Sequence, residues 1–73
     1  MTEERFDVWQ YLPHDLHERV GEDLEAEDAV KLAQSYTVRP AALIGIIRMV
    51  RIIGRDDDSV CFEWQFGKGV TFK

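Results

Sequence analysis

The sequence predicts a small α+β domain in which an antiparallel β-sheet carries one main helix on one face. Three observations predict this fold: an alternating aromatic segment near the C-terminus, a helical apolar stripe in the middle, and turn residues between short β-branched runs. The expected element order is ββαββ, with room for a short extra strand at the C-terminus. The 73 residues make one domain, 1–73, because a chain of this length has a single small core.

The clearest strand is Val60–Phe66. Its large apolar side chains fall on every second position, with Cys61, Glu63 and Gln65 between them. Successive side chains of a strand point to opposite sides of a sheet, so this alternation predicts a strand with one buried face. It also predicts that Cys61 lies on the solvent side.

Phe6–Leu12 is predicted to be the first strand, ended by Pro13. Aromatic residues favour the strand, and Pro13 with the following His14 and Asp15 supplies turn chemistry. Both faces carry apolar groups, so the pattern does not decide which face is buried. One face holds Phe6 and Val8, and the other holds Asp7, Trp9 and Tyr11.

A second strand is expected at Leu16–Val20, but a helix is an alternative prediction for the same segment. Leu16, Val20 and Leu24 are spaced i, i+4 and i+8, which also fits an opening helix that starts at Pro13. Both alternatives stay open at this stage.

A helix is predicted from Glu25 to Tyr36. Its apolar stripe has the i, i+3, i+4, i+7 spacing of an amphipathic helix, and acidic residues crowd its first turn, where the helix dipole stabilises them. The helix is expected to end before Pro40. Pro40–Gly45 can add a second short helical turn with proline at its first position.

Ile46–Arg55 is predicted to be a strand because its β-branched content is high. As a strand it places Arg48, Val50 and Ile52 on one face, and Met49, Arg51, Ile53 and Arg55 on the other. As a helix it would align its three arginines instead. Turns are expected at Gly54–Ser59 and Gly67–Gly69, followed by a final short strand, Val70–Phe72.

Charge is distributed unevenly along the chain. Residues 1–30 hold ten acids and two bases, a net −8, whereas residues 31–73 hold four acids and seven bases, a net +3. Oppositely charged halves attract each other within one fold or across a dimer. The acidic total of −5 disfavours nucleic acid as a partner, because phosphate binding relies on a net basic surface.

We expect a cytoplasmic protein that does not enter the membrane. The N-terminal residues lack the basic and apolar regions of a signal peptide, and the apolar stretch Ala41–Ile53 is interrupted by Arg48 and Arg51. A single cysteine, Cys61, excludes an intramolecular disulfide.

No catalytic residue, metal ligand or cofactor is predicted. His14 and His17 are spaced H-x-x-H, so they would share one face, and a metal, only on a helix. Cys61 has no readable Cys–His pattern that would lower the pKa of its thiol. The acids Asp56–Asp58 fit a solvated turn better than a calcium loop.

The sequence therefore predicts a non-enzymatic interaction module that forms a homodimer or binds a protein partner. One helix covers only one face of a sheet, so the apolar groups of the other face are covered by the chain's tails or by a second subunit, or stay exposed as a binding patch. Two alternatives are a metal-dependent or enzymatic module using His14 and His17, and a nucleic-acid binder using a basic patch. The predicted partner-binding residues are Trp9, Tyr11, Met49, Arg51, Ile53 and Arg55.

Overall fold

The computed structural model describes residues 4–73, which form five strands and two helices. The strands are β1 (Phe6–Tyr11), β2 (His17–Leu24), β3 (Met49–Gly54), β4 (Val60–Gln65) and β5 (Gly69–Phe72). The helices are α1 (Ala26–Thr37) and α2 (Pro40–Leu43). Neither helix is long and apolar enough to cross a membrane.

All five strands belong to one antiparallel sheet in the order β2-β1-β3-β4-β5. The predicted fold class is confirmed, including the short extra C-terminal strand. The central strand β3 follows two helices and lies between the two hairpins β1–β2 and β4–β5. This arrangement pairs Phe6 with Gly54 and Tyr11 with Met49, which brings the chain's first and third strands side by side.

The core lies between the sheet and α1. Val8, Val50 and Ile52 are buried on the strands, and they pack with Ala29 and Ala33 of the helix. α1 packs across β1, β3 and β2. The buried face of the first strand is therefore the one that carries Phe6 and Val8, which the sequence pattern left undecided.

Both helices begin and end close to the predicted positions. Glu27 and Asp28 lie in the first turn of α1, where carboxylates interact favourably with the helix dipole. Pro40 is the first residue of α2, preceded by Arg39 in an extended conformation, because a residue before proline avoids the α region.

The alternative prediction of a helix that starts at Pro13 is wrong. The segment forms a strand, and this strand is longer than predicted. β2 runs from His17 to Leu24, so Leu16 precedes it and is 61% exposed. Two register shifts interrupt the pairing of β2 with β1, one on each side of Val8, and Asp23 adopts a φ of 55° at the shift between Phe6 and Val8. These irregularities break the strict alternation on which register predictions depend.

The third strand begins three residues later than predicted. The backbone N–H groups of Ile46 and Ile47 both donate to the carbonyl oxygen of Ala41, at 2.8 and 3.1 Å, so they belong to the turn that ends α2. Gly45 makes this turn possible with a φ of 85°. Ile47 is nevertheless buried in the core.

The predicted alternation around Cys61 is wrong by one residue. Ile52 pairs with Phe62 but Ile53 pairs with Val60, so Cys61 is the extra residue of a bulge. Cys61 is exposed and lines a cleft beside α1 together with Phe6 and Phe62. Val60 therefore does not share the face of Phe62 as the sequence pattern predicted.

Candidate functional site

The sheet face that points away from α1, here called the open face, brings the predicted partner-binding residues together. On β1 and β3, Trp9 pairs with Arg51 and Tyr11 pairs with Met49. Their neighbours Val8 and Val50 are buried under α1, and side chains alternate along a strand. The open face therefore carries Asp7, Trp9, Tyr11, Met49, Arg51 and Ile53, together with Glu63 and Gln65 of β4.

Arg55 follows β3 directly and joins this face at the end where β1 starts. Its Nη1 donates to Oδ1 of Asp7 at 2.9 Å, while the backbone N–H of Asp23 donates to the same oxygen at 2.9 Å. Arg19 lies 3.6 Å from the other oxygen of Asp7. Arg55 was predicted to bind a partner, and in this structure its guanidinium contacts Asp7 of the acidic half within the same fold.

Asp7 is held in its charged form by these contacts. Burial raises the pKa of the Asp7 carboxyl, but the Asp23 N–H, Arg55 and Arg19 outweigh that effect and leave the pKa below its ordinary value. The carboxylate is 13% exposed and fixes two arginines at one end of the open face.

Trp9 and Tyr11 of the open face each lie beside one guanidinium and beside the ring of His17. The guanidinium of Arg19 is 5.6 Å from the ring centroid of Trp9, and that of Arg51 is 5.2 Å from Tyr11. The His17 ring lies 5.5 Å from Trp9 and 6.1 Å from Tyr11. These contacts order two half-buried rings, which remain partly accessible.

A hydrogen-bond network crosses the open face from β3 to β5. Arg51 Nε donates to Glu63 Oε2 at 3.1 Å, and the Gln65 amide and the Thr71 hydroxyl donate to the other carboxylate oxygen at 2.6 and 3.0 Å. Gln65, Thr71 and Arg51 lower the pKa of Glu63 below its ordinary value against the opposing effect of burial. The network fixes the orientation of the Arg51 side chain.

A basic groove opens at the end of the open face where β3 begins. It has a volume of about 410 Å³. Of its three cations, Arg51 pairs with Glu63, whereas Arg48 and Lys68 form no ion pair within residues 4–73. The lining residues are Tyr11, Arg48, Met49, Arg51, Gln65, Phe66 and Lys68.

Several residues of the open face were missed by the sequence prediction. Arg19 and His17 reach Trp9 only because the bulge in β2 sets their register. Glu63 was recognisable as the solvent-side residue of the aromatic strand, but its pairing with Arg51 depends on the strand order. No local signal in the sequence indicates that order.

The hypothesis that His14 and His17 share a metal has no geometric basis in this structure. It required a helix through His14 and His17, but His14 lies in the turn before β2 and His17 is its first residue. Residues 4–73 contain no group of three histidine, cysteine or acidic side chains that could hold a metal ion.

The fold and the open face define a small antiparallel α+β domain with a polar and aromatic sheet surface. No protein-family model, curated protein or solved structure matches the chain.

Proposed function

We propose that this protein is a non-enzymatic interaction domain that binds a protein partner through the open face. The observation that carries the proposal is the convergence of Trp9 and Tyr11 with Met49, Arg51 and Ile53 on a sheet surface that no helix of residues 4–73 covers. Tryptophan, tyrosine, methionine and arginine are enriched at protein interfaces.

The fixed conformations of these side chains support the proposal that the open face binds a partner. Trp9 and Tyr11 are each held by a neighbouring guanidinium, and Arg51 is fixed by Glu63. Side chains ordered before association lose less conformational entropy when a partner covers them. The open face is thus prepared for contact at low entropic cost.

The electrostatics of the open face favour contact over proton transfer. A general acid or base works best with a pKa near the operating pH, whereas the pKa values of Asp7 and Glu63 are both lowered from ordinary carboxyl values. Both carboxylates hold arginines in position instead.

Photo-crosslinking tests the proposal directly. A photoreactive phenylalanine analogue is placed at Tyr11, on the open face, or at Val30, which is 43% exposed on α1 and therefore lies on the other side of the sheet. The proteins are irradiated in cells of the organism that carries the gene, and adducts are separated by mass. We expect a discrete adduct from position 11 and none from position 30. An adduct from position 30 alone, or from neither position, would contradict the proposal.

Truncation of Trp9 is the second test. Trp9→Ala should weaken the association while leaving the circular dichroism spectrum and the cooperative unfolding transition in place, because Trp9 is not part of the α1 core. A Trp9→Ala chain that is simply unfolded would show that the ring is a core residue and that the assignment is wrong.

A further inference from the structure

We propose that the basic groove binds the carboxylates of an acidic segment of the partner protein. This inference rests on the proposed function, because the groove lies at one end of the open face. It adds the chemical class of the partner segment and the end of the open face at which its charges lie. Two cations of the groove that have no carboxylate partner within residues 4–73 carry it.

Arg48 and Lys68 are these two cations. Both side chains are exposed, and neither forms an ion pair with a carboxylate of residues 4–73. The arginines near the other end of the open face are paired, since Arg19 and Arg55 contact Asp7 at 3.6 and 2.9 Å. An incoming carboxylate therefore meets Arg48 and Lys68 without displacing an existing ion pair.

The Arg48 guanidinium is held in place before any ligand binds. Its Nη1 donates to the carbonyl oxygen of Gly45 at 3.2 Å, and the guanidinium lies 5.0 Å from the centroid of the Phe66 ring. A guanidinium has five N–H donors and binds a carboxylate through two parallel hydrogen bonds. The contact with Gly45 uses one donor, so enough donors remain for a carboxylate from outside the chain.

Arg51 adds a second fixed guanidinium to the groove. Its Nε donates to Glu63 Oε2 at 3.1 Å, and the guanidinium lies 5.2 Å from the centroid of the Tyr11 ring. Side chains that are ordered beforehand lose less conformational entropy when a ligand binds. The lining of the groove contains Arg48, Arg51 and Lys68 but no acid, so the pairing with Glu63 leaves the groove positively charged.

The opposite end of the open face is rich in acids. The Arg55 guanidinium is shared there by three carboxylates at 2.9, 3.6 and 3.9 Å, those of Asp7, Glu22 and Asp23. Asp58 lines a hollow at the same end. A ligand with negative charge along its whole length would therefore meet carboxylates at this end.

This uneven charge favours an acidic protein segment over a nucleic acid. Every nucleotide of a strand carries a phosphate, so a strand that crossed the open face would bring phosphates to the end that is rich in acids. A protein segment instead places acidic residues in the groove and apolar residues against Trp9, Met49 and Ile53. The net charge of −5 also opposes a nucleic acid.

Titration of the intact chain with two matched peptides tests the inference. The first probe is acetyl-Glu-Glu-Leu-Leu-amide, with its acids at one end and its apolar side chains at the other. The second probe has glutamine in place of both glutamates. NMR signals of the Nε–H groups of Arg48 and Arg51 report on the groove. We expect saturable shifts of both signals with the acidic peptide, at an affinity at least about tenfold higher than that of the glutamine peptide. Equal affinities, or no shifts, would overturn the inference.

Neutral substitutions locate the binding site. A variant with Arg48→Gln and Lys68→Gln should bind the acidic peptide at least about tenfold more weakly than the wild type. The matched control carries Arg39→Gln and Lys73→Gln and loses the same charge. Arg39 also lies over an aromatic ring, 3.8 Å from that of Tyr36, and neither control residue forms an ion pair within residues 4–73 or lines the groove.

The control should leave the affinity for the acidic peptide unchanged. Equal losses in the two variants, or no loss in the groove variant, would overturn the inference. Circular dichroism checks that each variant is folded. If the groove variant is unfolded, Lys68→Gln alone replaces it, because Lys68 lies in an exposed turn. This single variant should bind the acidic peptide at least about threefold more weakly, and an unchanged affinity would again overturn the inference.

Two further measurements separate the possible failures. Tighter binding of a single-stranded oligothymidylate than of the acidic peptide would replace the acidic protein segment by a nucleic acid. In the photo-crosslinking experiment, an adduct from position 11 that persists in the Arg48→Gln, Lys68→Gln variant would keep the open face as a binding surface and overturn the acidic segment. A wild type without this adduct would contradict the proposed function, while the peptide titration still decides whether the groove binds carboxylates.

Discussion

Arg51 and Glu63 face each other across β3 and β4, and the Arg51 Nε donates to Glu63 Oε2 at 3.1 Å. The two side chains are 31% and 14% exposed, so solvent screens their interaction only in part. The Glu63 carboxylate also accepts hydrogen bonds from Gln65 and Thr71. This pair therefore connects three strands of the open face.

Removing the carboxylate should destabilise the fold. Glu63→Ala leaves the Arg51 guanidinium and the Gln65 amide without this acceptor, which costs about 1–3 kcal/mol in the free energy of unfolding. Urea denaturation measures this quantity. Glu27→Ala is the control, since Glu27 forms only an exposed i, i+4 ion pair with Lys31 and such pairs contribute little. Equal effects of the two variants would contradict the role given to Glu63.

Stability should fall at acidic pH because of Asp7 and Glu63. The pKa of each is lower in the folded chain than its ordinary value, so the folded state favours the charged form. Their contribution is present above the unfolded pKa of about 4 and is lost as the pH falls through the lower folded values. Thermal unfolding between neutral and acidic pH measures the loss. Asp7→Asn should reduce its slope below pH 4, and an unchanged slope would show that Asp7 is not one of its sources.

Gly45 and Gly67 should respond differently to alanine. Both have a positive φ, 85° and 84°, so alanine at either position costs about 1 kcal/mol in backbone strain. At Gly45 the new Cβ would also lie 3.1 Å from the Phe66 ring, whereas at Gly67 it would meet nothing within 4 Å. We expect Gly45→Ala to lower the free energy of unfolding by more than Gly67→Ala does. Equal losses would show that the Phe66 ring moves aside without cost.

Asp58→Gly should stabilise the protein. Asp58 adopts a φ of 56° in the turn between β3 and β4, a conformation that glycine reaches without a steric penalty. The gain is reduced by the greater freedom of glycine in the unfolded chain, so we expect an increase of about 0.5 kcal/mol. Asp56→Gly is the control, because Asp56 has no positive φ and its substitution brings only the entropic cost. A melting temperature that falls equally in both variants would refute the prediction.

The helix and the strands could be predicted because each depends on a local period. The apolar stripe of α1 and the alternation of β4 depend only on residues close together in the sequence. The structure shows both elements close to their predicted positions. The boundaries that were missed depend on backbone contacts. β3 starts at Met49 because the backbone N–H groups of Ile46 and Ile47 donate to the carbonyl oxygen of Ala41. The residue types in this segment do not reveal these hydrogen bonds.

The sequence by itself determined the fold class, the residues on each face of β1 and the surplus of acids in its first thirty residues. The tertiary structure decided which face α1 covers, because burial of Val8 depends on packing with Ala29 and Ala33. It also decided the strand order, and with it the Arg51–Glu63 pair. Contacts between residues distant in the chain form only when the sheet assembles, so no local period encodes them.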